Sequence, residues 1–129
     1  MRKILLDTSF ILLQFEDRLD IRSQLQNLLP EPTTLLLASG VFEELKTLAG
    51  KTGKKSTAAR FAIQNLEKIF EGFRLEKVQS KGPVDEWILN YAQKNNLTVA
   101  TNDATLRSRL KEAGIPVISS RSRVKLDFV

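Results

Sequence analysis

The 129-residue sequence contains no cysteine and no histidine. Together these absences exclude disulfides, thiol nucleophiles, structural zinc sites and serine–histidine–aspartate catalysis. Without thiols the chain carries no mark of its redox compartment. Any chemistry has to run on carboxylates, hydroxyls, Lys or Arg, or on a bound ion. Long apolar runs are missing too, since no stretch approaches the roughly 18 residues needed to span a bilayer. Met1-Arg2-Lys3 ahead of an apolar run imitates the start of a signal peptide. Asp7 interrupts it, however, and Glu16-Asp17 follow without a small-residue cleavage site. The expectation is a cytoplasmic protein that does not engage a membrane. Aromatics are scarce at 7%, and no internal repeat, low-complexity tract or linker is visible.

What is present is ordinary globular material, with 42% hydrophobic and 27% charged residues. The length suits one domain with a real core, so residues 1–129 are read as a single domain. Lys plus Arg number 20 against 15 Asp plus Glu, a formal charge of +5. That excess favours an anionic partner such as nucleic acid, and the placement of the charge matters more than its sum.

Short apolar runs alternate with amphipathic segments. Residues 3–6 predict a buried strand, and Asp7-Thr8-Ser9 can cap a helix beginning near Phe10. Ile21, Leu25, Leu28 and Leu29 repeat at helical spacing until Pro30 and Pro32 end the segment. Leu35 to Ala38 predicts a second strand, broken at Gly40, with a helix after it that turns Val41, Leu45 and Leu48 inward. Gly50 and Gly53 mark a loop. One longer helix is expected from about Ser56, burying Ala62, Leu66, Ile69, Phe70 and Phe73. Arg74 to Val78 predicts a strand. Gly82-Pro83 starts a helix with Val84, Ile88, Tyr91 and Ala92 inward, and Asn95-Asn96 ends it. Leu97 to Ala100 is a strand, Leu106 and Leu110 mark a helix closed by Gly114 and Pro116, and Val117-Ile118 is a buried strand. The tail, Val124 to Val129, is an edge-strand candidate, and its apolar end, Leu126 to Val129, is able either to pair with a second subunit in a homodimer or to cover its own sheet. This pattern predicts an α/β sandwich: a central, mainly parallel sheet flanked by helices.

Four acids fall at or just after the strand-to-helix junctions: Asp7, Glu44, Asp85 and Asp103. In a parallel sheet those junctions share the carboxyl edge, where open α/β folds place their ligands. Each acid alone has a structural explanation, because Asp is a favoured N-cap and acids in a first turn suit the helix dipole. Converging carboxylates repel, so they would have to bind a proton or share a cation. An all-oxygen cluster suits hard ions such as Mg²⁺ or Mn²⁺.

The residues around these acids carry a resemblance. Ile4-Leu5-Leu6-Asp7-Thr8-Ser9-Phe10-Ile11-Leu12 resembles the opening motif of PIN domains, and Val41-Phe42-Glu43-Glu44-Leu45 their second. Pro83-Val84-Asp85-Glu86-Trp87-Ile88 is similar to the third, and Val99-Ala100-Thr101-Asn102-Asp103-Ala104-Thr105-Leu106 to the fourth. The resemblance covers nearly the whole chain. It implies a PIN-like fold, with Asp7, Glu44, Asp85 and Asp103 as metal-site acids and Thr101 as a supporting hydroxyl. Thr8 or Ser9 could likewise hold a carboxylate or a water. Glu43 and Glu86 sit one position off the motif register, although the third motif often carries a second Asp where this chain has Glu86. The implied activity is Mg²⁺- or Mn²⁺-assisted hydrolysis of RNA phosphodiester bonds.

Residues 45 to 66 contain no acid but include Lys46, Lys51, Lys54, Lys55 and Arg60. A basic loop beside an acidic site would grip a phosphate backbone without reading sequence. Arg121 and Arg123, after the last buried strand, are candidates for the same task. The glycines near Lys51 and Lys54 do not make a Walker loop, since Leu45 stands where a Gly is needed and Lys55 follows Lys54. Trp87 and Tyr91 fall on a helix, with Tyr91 read as core, and neither basic stretch interleaves aromatics as a single-strand platform would.

Within the nuclease reading, RNA maturation competes with a toxin-type ribonuclease held by a small antitoxin protein. A non-catalytic PIN-like module that binds RNA or protein is the alternative. A phosphoacceptor receiver fits poorly, because it needs adjacent acids after the first strand and a late strand-end Lys.

Overall fold

The computed structural model describes residues 2–16, 19–123 and 125–129. The chain opens on β1 (Arg2–Leu6), whose last three residues are buried. A continuous apolar run is what a strand covered on both faces requires. Accordingly β1 lies inside the sheet, parallel to β2 (Thr33–Ala38) on one side and β4 (Thr98–Ala100) on the other. β3 (Arg74–Val78) lies beyond β2, while β5 (Val117–Ser122) and β6 (Lys125–Phe128) lie beyond β4. Among the described residues the strand order is β3-β2-β1-β4-β5-β6, with β6 antiparallel to its neighbour. Leu5 stands opposite Leu36 and Leu6 opposite Ala100, so β1, β2 and β4 end near one level. The chain leaves β1 toward β2 and returns on its other side as β4, which makes the β1–β4 boundary the topological switch point.

The helices cover both faces. α1 (Thr8–Glu16) buries Phe10, Ile11, Leu12 and Leu13 in succession. A helix apolar on nearly all sides belongs in the interior, and α1 packs between α3 (Ser39–Ala49) and α4 (Lys54–Gln64). α2 (Ile21–Leu28) starts on the side chain of Asp20 and ends before Pro30. α6 (Val84–Asn95) follows Pro83 and closes on Asn96 in the left-handed conformation, at φ 52°. α7 (Ala104–Glu112) is capped by Asp103. Among the described residues, no helix is long and apolar enough to cross a membrane.

Four local expectations differ from the structure. The long helix after Gly53 is two, because Asn65 leaves helical geometry (φ −123°, ψ 20°) between α4 and α5 (Leu66–Ile69). Its side chain donates to the carbonyl of Phe61 at 2.9 Å, competing with continuation of the helix. Phe73 therefore falls in the turn before β3 and not on that helix. β2 ends at Ala38 as expected, but Gly40 is not the break between strand and helix: it lies in the first turn of α3, for a reason that belongs to the site. Tyr91 is only half-buried, since Ile88 and Ala92 take the core-facing positions of α6. The tail from Lys125 onward pairs with β5 of its own chain, Ile118 opposite Phe128, and Val124 lies outside the described residues.

Candidate active site

The carboxyl edge carries a cleft of about 610 Å³ whose walls include Asp7, Glu44, Asp85 and Asp103. Each acid arrives on a different segment. Asp7 continues the β1 ladder, its N–H donating to the Ala100 carbonyl at 2.9 Å. Its own carbonyl accepts from the N–H groups of Phe10 and Ile11, so the same residue ends a strand and begins α1. The residue is buried, with 4% of its surface left exposed. Burying a carboxylate is costly unless it is hydrogen-bonded. Here Oδ2 accepts from Ser9 Oγ at 2.6 Å and from Thr101 Oγ1 at 2.7 Å. Each hydroxyl carries one proton, and both protons are spent on this oxygen. The 3.2 Å approach of Ser9 Oγ to Thr101 Oγ1 then follows from their shared acceptor.

The two hydroxyls also brace the fourth motif. Ser9 Oγ accepts from the N–H of Asn102 at 2.9 Å, and Thr101 Oγ1 accepts from the N–H of Asp103 at 3.1 Å. Asn102 Oδ1 in turn accepts from Ser119 Oγ at 3.2 Å and Ser120 Oγ at 2.6 Å. The turn after β4 is thereby tied to both β1 and β5. Asp103 caps α7 with Oδ1, which accepts the N–H of Leu106 at 2.8 Å. The cap and the cleft do not compete for this residue. One oxygen serves the helix, and the residue still lines the cleft.

Glu44 sits in the second turn of α3, where Thr8 Oγ1 donates to its Oε1 at 2.5 Å. Asp85 lies in the first turn of α6. Although exposed overall, its carboxyl is held above the usual range, chiefly by partial desolvation and then by the charges of Asp7, Asp103 and Glu44, with Arg109 opposing. Asp85 therefore feels the charge of the other three acids, as a carboxylate converging on them must.

A clasp sets the gap between α3 and α6. Ser80 Oγ accepts the N–H of Gly40 at 2.8 Å, and Ser39 Oγ accepts the N–H of Ser80 at 2.9 Å. A Cβ at Gly40 would meet Ser80 Oγ at 2.9 Å and Val84 Cγ2 at 3.0 Å. Glycine is required there by close approach, so that the segment leading to Asp85 can lie against the helix bearing Glu44. Sequence reasoning missed Ser39 and Ser80. Their contact spans 41 positions, and neither residue sits in a motif.

The neighbouring acids are placed differently. Glu43 lines the cleft but pairs with Lys46 at 2.9 Å. Glu86 pairs with Arg109 at 2.7 Å. Of the six basic candidates, Lys55 lines the cleft, because α4 begins beside α3. Lys46 is held by Glu43 and lies 5.3 Å over the Phe42 ring. Lys51 and Lys54 occupy exposed positions on the α3–α4 loop and at the start of α4. Arg60 donates to the carbonyls of Ala49 and Lys51, stapling that loop. Arg121 pairs with Asp127 at 3.4 Å, and Arg123 is exposed in the β5–β6 turn.

Among the described residues, no three of these acidic side chains are set to ligate one ion together in this conformation. The donor set is nonetheless all oxygen, and the cleft leaves room for water. Mg²⁺ commonly binds through one or two carboxylates and keeps several waters. The residues present fit such an ion.

Residues 4–123 match a family described as PIN-like domain. The chain belongs to this family. Ribonuclease VapC4 of Methanocaldococcus jannaschii is 31% identical over 127 residues, 95% of this chain and 93% of that protein. Ribonuclease VapC9 of Archaeoglobus fulgidus is 30% identical over 118 residues, 91% of this chain and 82% of that protein. Among solved structures, the PIN domain endonuclease Utp24 superposes with a TM-score of 0.77 at 25% identity, covering 98% of this chain and 90% of its own. A domain from Methanocaldococcus jannaschii of unknown function shares the fold, with a TM-score of 0.73 at 16% identity over 95% of this chain and 93% of its own. The PIN-like match runs from β1 into the β5–β6 turn, so it contains all four acids.

Proposed function

We propose that this PIN-like chain is a divalent-metal-dependent endoribonuclease that hydrolyses RNA phosphodiester bonds. The carrying observation is convergence, with four carboxylates from four separate segments lining one cleft. The ribonuclease names of two relatives and the endonuclease neighbour support the same reading.

Asp7 and Asp103 are assigned as direct holders of Mg²⁺ or Mn²⁺, with Glu44 and Asp85 completing the site directly or through water. When bound, such an ion offsets charge on the phosphate and lowers the pKa of an attacking water. Thr101 and Ser9 fix the Asp7 carboxylate from behind, and Thr8 fixes Glu44. Asp85, with its raised proton affinity, is assigned to take the proton from the attacking water. Lys55 meets the phosphate backbone at the cleft wall, while Lys46, Lys51, Lys54, Arg121 and Arg123 draw RNA in by charge from further out. We assign this action to the cytoplasm.

Calorimetric titration with Mn²⁺ tests the site. Binding to the wild type that weakens at least tenfold in Asp7→Asn and Asp103→Asn supports the assignment, and equal binding by all three proteins refutes it. Expression of wild type and Asp7→Asn in growing cells separates the two biological roles. Growth arrest by the wild type alone, with a small antitoxin-like protein co-purifying, marks the toxin role. Undisturbed growth with no such partner counts against the toxin role.

A further inference from the structure

A second pocket adjoins the acidic cleft across the segment that carries Asp85. Gly82, Val84 and Asp85 line the cleft, whereas Lys81, Pro83, Glu86 and Trp87 line a smaller hollow of about 270 Å³. Further along α6, Asn90, Tyr91 and Lys94 complete it. Trp87 and Tyr91 stack one turn apart, their ring centroids 4.5 Å apart and their planes 15° from parallel. Both rings pack against the margin of the core yet are only half-buried, so each keeps part of its surface open to solvent. The acid of this hollow, Glu86, is neutralised by Arg109. Lys81 and Lys94 are exposed and form no ion pair among the described residues.

An aromatic shelf, an amide and two uncompensated lysines make up the chemistry that holds a nucleotide: a π face for the base, a polar group for its edge and cations for its phosphates. We infer that this hollow is a base-binding subsite, in which Trp87 stacks a nucleobase of the RNA strand next to the phosphate held at the acids. The inference rests on the nuclease reading and adds a contact to the base where the cleft contacts only the backbone. Stacking tolerates every base, so the subsite raises affinity and fixes register without reading sequence.

Trp87 is the chain's one tryptophan, which makes its fluorescence a direct reporter of the shelf. Asp103→Asn protein, with Mg²⁺ present, is titrated with a six-nucleotide oligoribonucleotide and, separately, with an abasic oligomer of equal length. We expect saturable quenching by the first and little by the second. Anisotropy of labelled oligomer should show binding weakened about fivefold or more in Trp87→Leu, the factor expected from one lost stack. Lys94→Glu, on the exposed rim, should weaken it as well, and serves if Trp87→Leu fails to fold. Equal quenching by the abasic oligomer, or unchanged fluorescence on saturable binding, overturns the subsite. In wild-type protein, cleavage without any Trp87 response would leave the nuclease reading intact and remove only the shelf. Quenching without cleavage would do the reverse.

Discussion

The hydroxyl of Thr101 donates to Oδ2 of Asp7 at 2.7 Å, joining the ends of β4 and β1 across 94 positions of sequence. Thr101 is fully buried. A buried hydroxyl that holds a carboxylate can orient it at no cost when the ligand arrives. Groups behind metal ligands typically contribute 10- to 100-fold to affinity or activity. We expect Thr101→Val, of nearly equal shape, to lower metal affinity by about that factor and stability by roughly 1–3 kcal/mol. Ser9→Ala should do the same more weakly, and the pair should be non-additive because both hydroxyls serve one oxygen. Denaturant melts and Mn²⁺ titration check this, and strict additivity would show that the two hydroxyls act separately.

Asp85 is an acid whose ionised form the fold disfavours. Its folded pKa lies above the ordinary value of 3.8, so the charged group costs stability once pH rises past that value, and the cost disappears below it. In metal-free buffer at neutral pH, Asp85→Asn should therefore melt at a higher temperature than the wild type. The gap should close as pH falls through the carboxylate range, and Mg²⁺ should stabilise the wild type more. RNA cleavage by the variant should fall by about 100-fold or more. A variant less stable than the wild type at neutral pH without metal would contradict this assignment of repulsion.

Asp20 offers a contrast away from the cleft. It caps α2, and its pKa is lowered by the hydroxyl of Ser23 first and the N–H of Ser23 second. Its contribution is complete above the ordinary value of 3.8 and is lost as pH falls through the lower folded pKa. Asp20→Ala should cost about 1 kcal/mol at neutral pH. The difference from the wild type should shrink in strong acid while cleavage at neutral pH is retained.

Gly40→Ala should damage activity beyond its effect on stability. The new methyl would press on Ser80 and Val84 and push α6 away from α3. Overpacking of this kind costs roughly 1–3 kcal/mol. The Gly40→Ala, Ser80→Ala double variant removes the nearer obstacle and should recover part of the loss. A double-mutant cycle of stability and turnover measures the recovery, and its absence would mean that the clasp does not set the Asp85 position.

Much of the site was legible because Asp7, Asp85 and Asp103 sit where an apolar run or a Pro gives way to a helix. Their roles as caps or first-turn residues and as cleft residues coincide. Glu44 was legible by register within its motif. The α4–α5 break was not, since Asn65 interrupts a helical pattern that is otherwise unbroken through Phe70. The spacing of Tyr91 matches Ile88 and Ala92, and only packing shows that those two are fully buried while Tyr91 stays at the margin of the core. Lys55 could not be separated from Lys51 and Lys54 without the packing of α4 on α3. Nothing local announces the Ser39–Ser80 clasp, because its energy comes from tertiary proximity.

The most direct measurement is cleavage of labelled single-stranded RNA by purified protein with Mg²⁺ or Mn²⁺, beside a chelator control and Asp103→Asn. We expect internal cleavage that requires both the metal and Asp103. Cleavage by Asp103→Asn at the wild-type rate, or in excess chelator, would contradict the metal-dependent acidic site on which the proposed function stands.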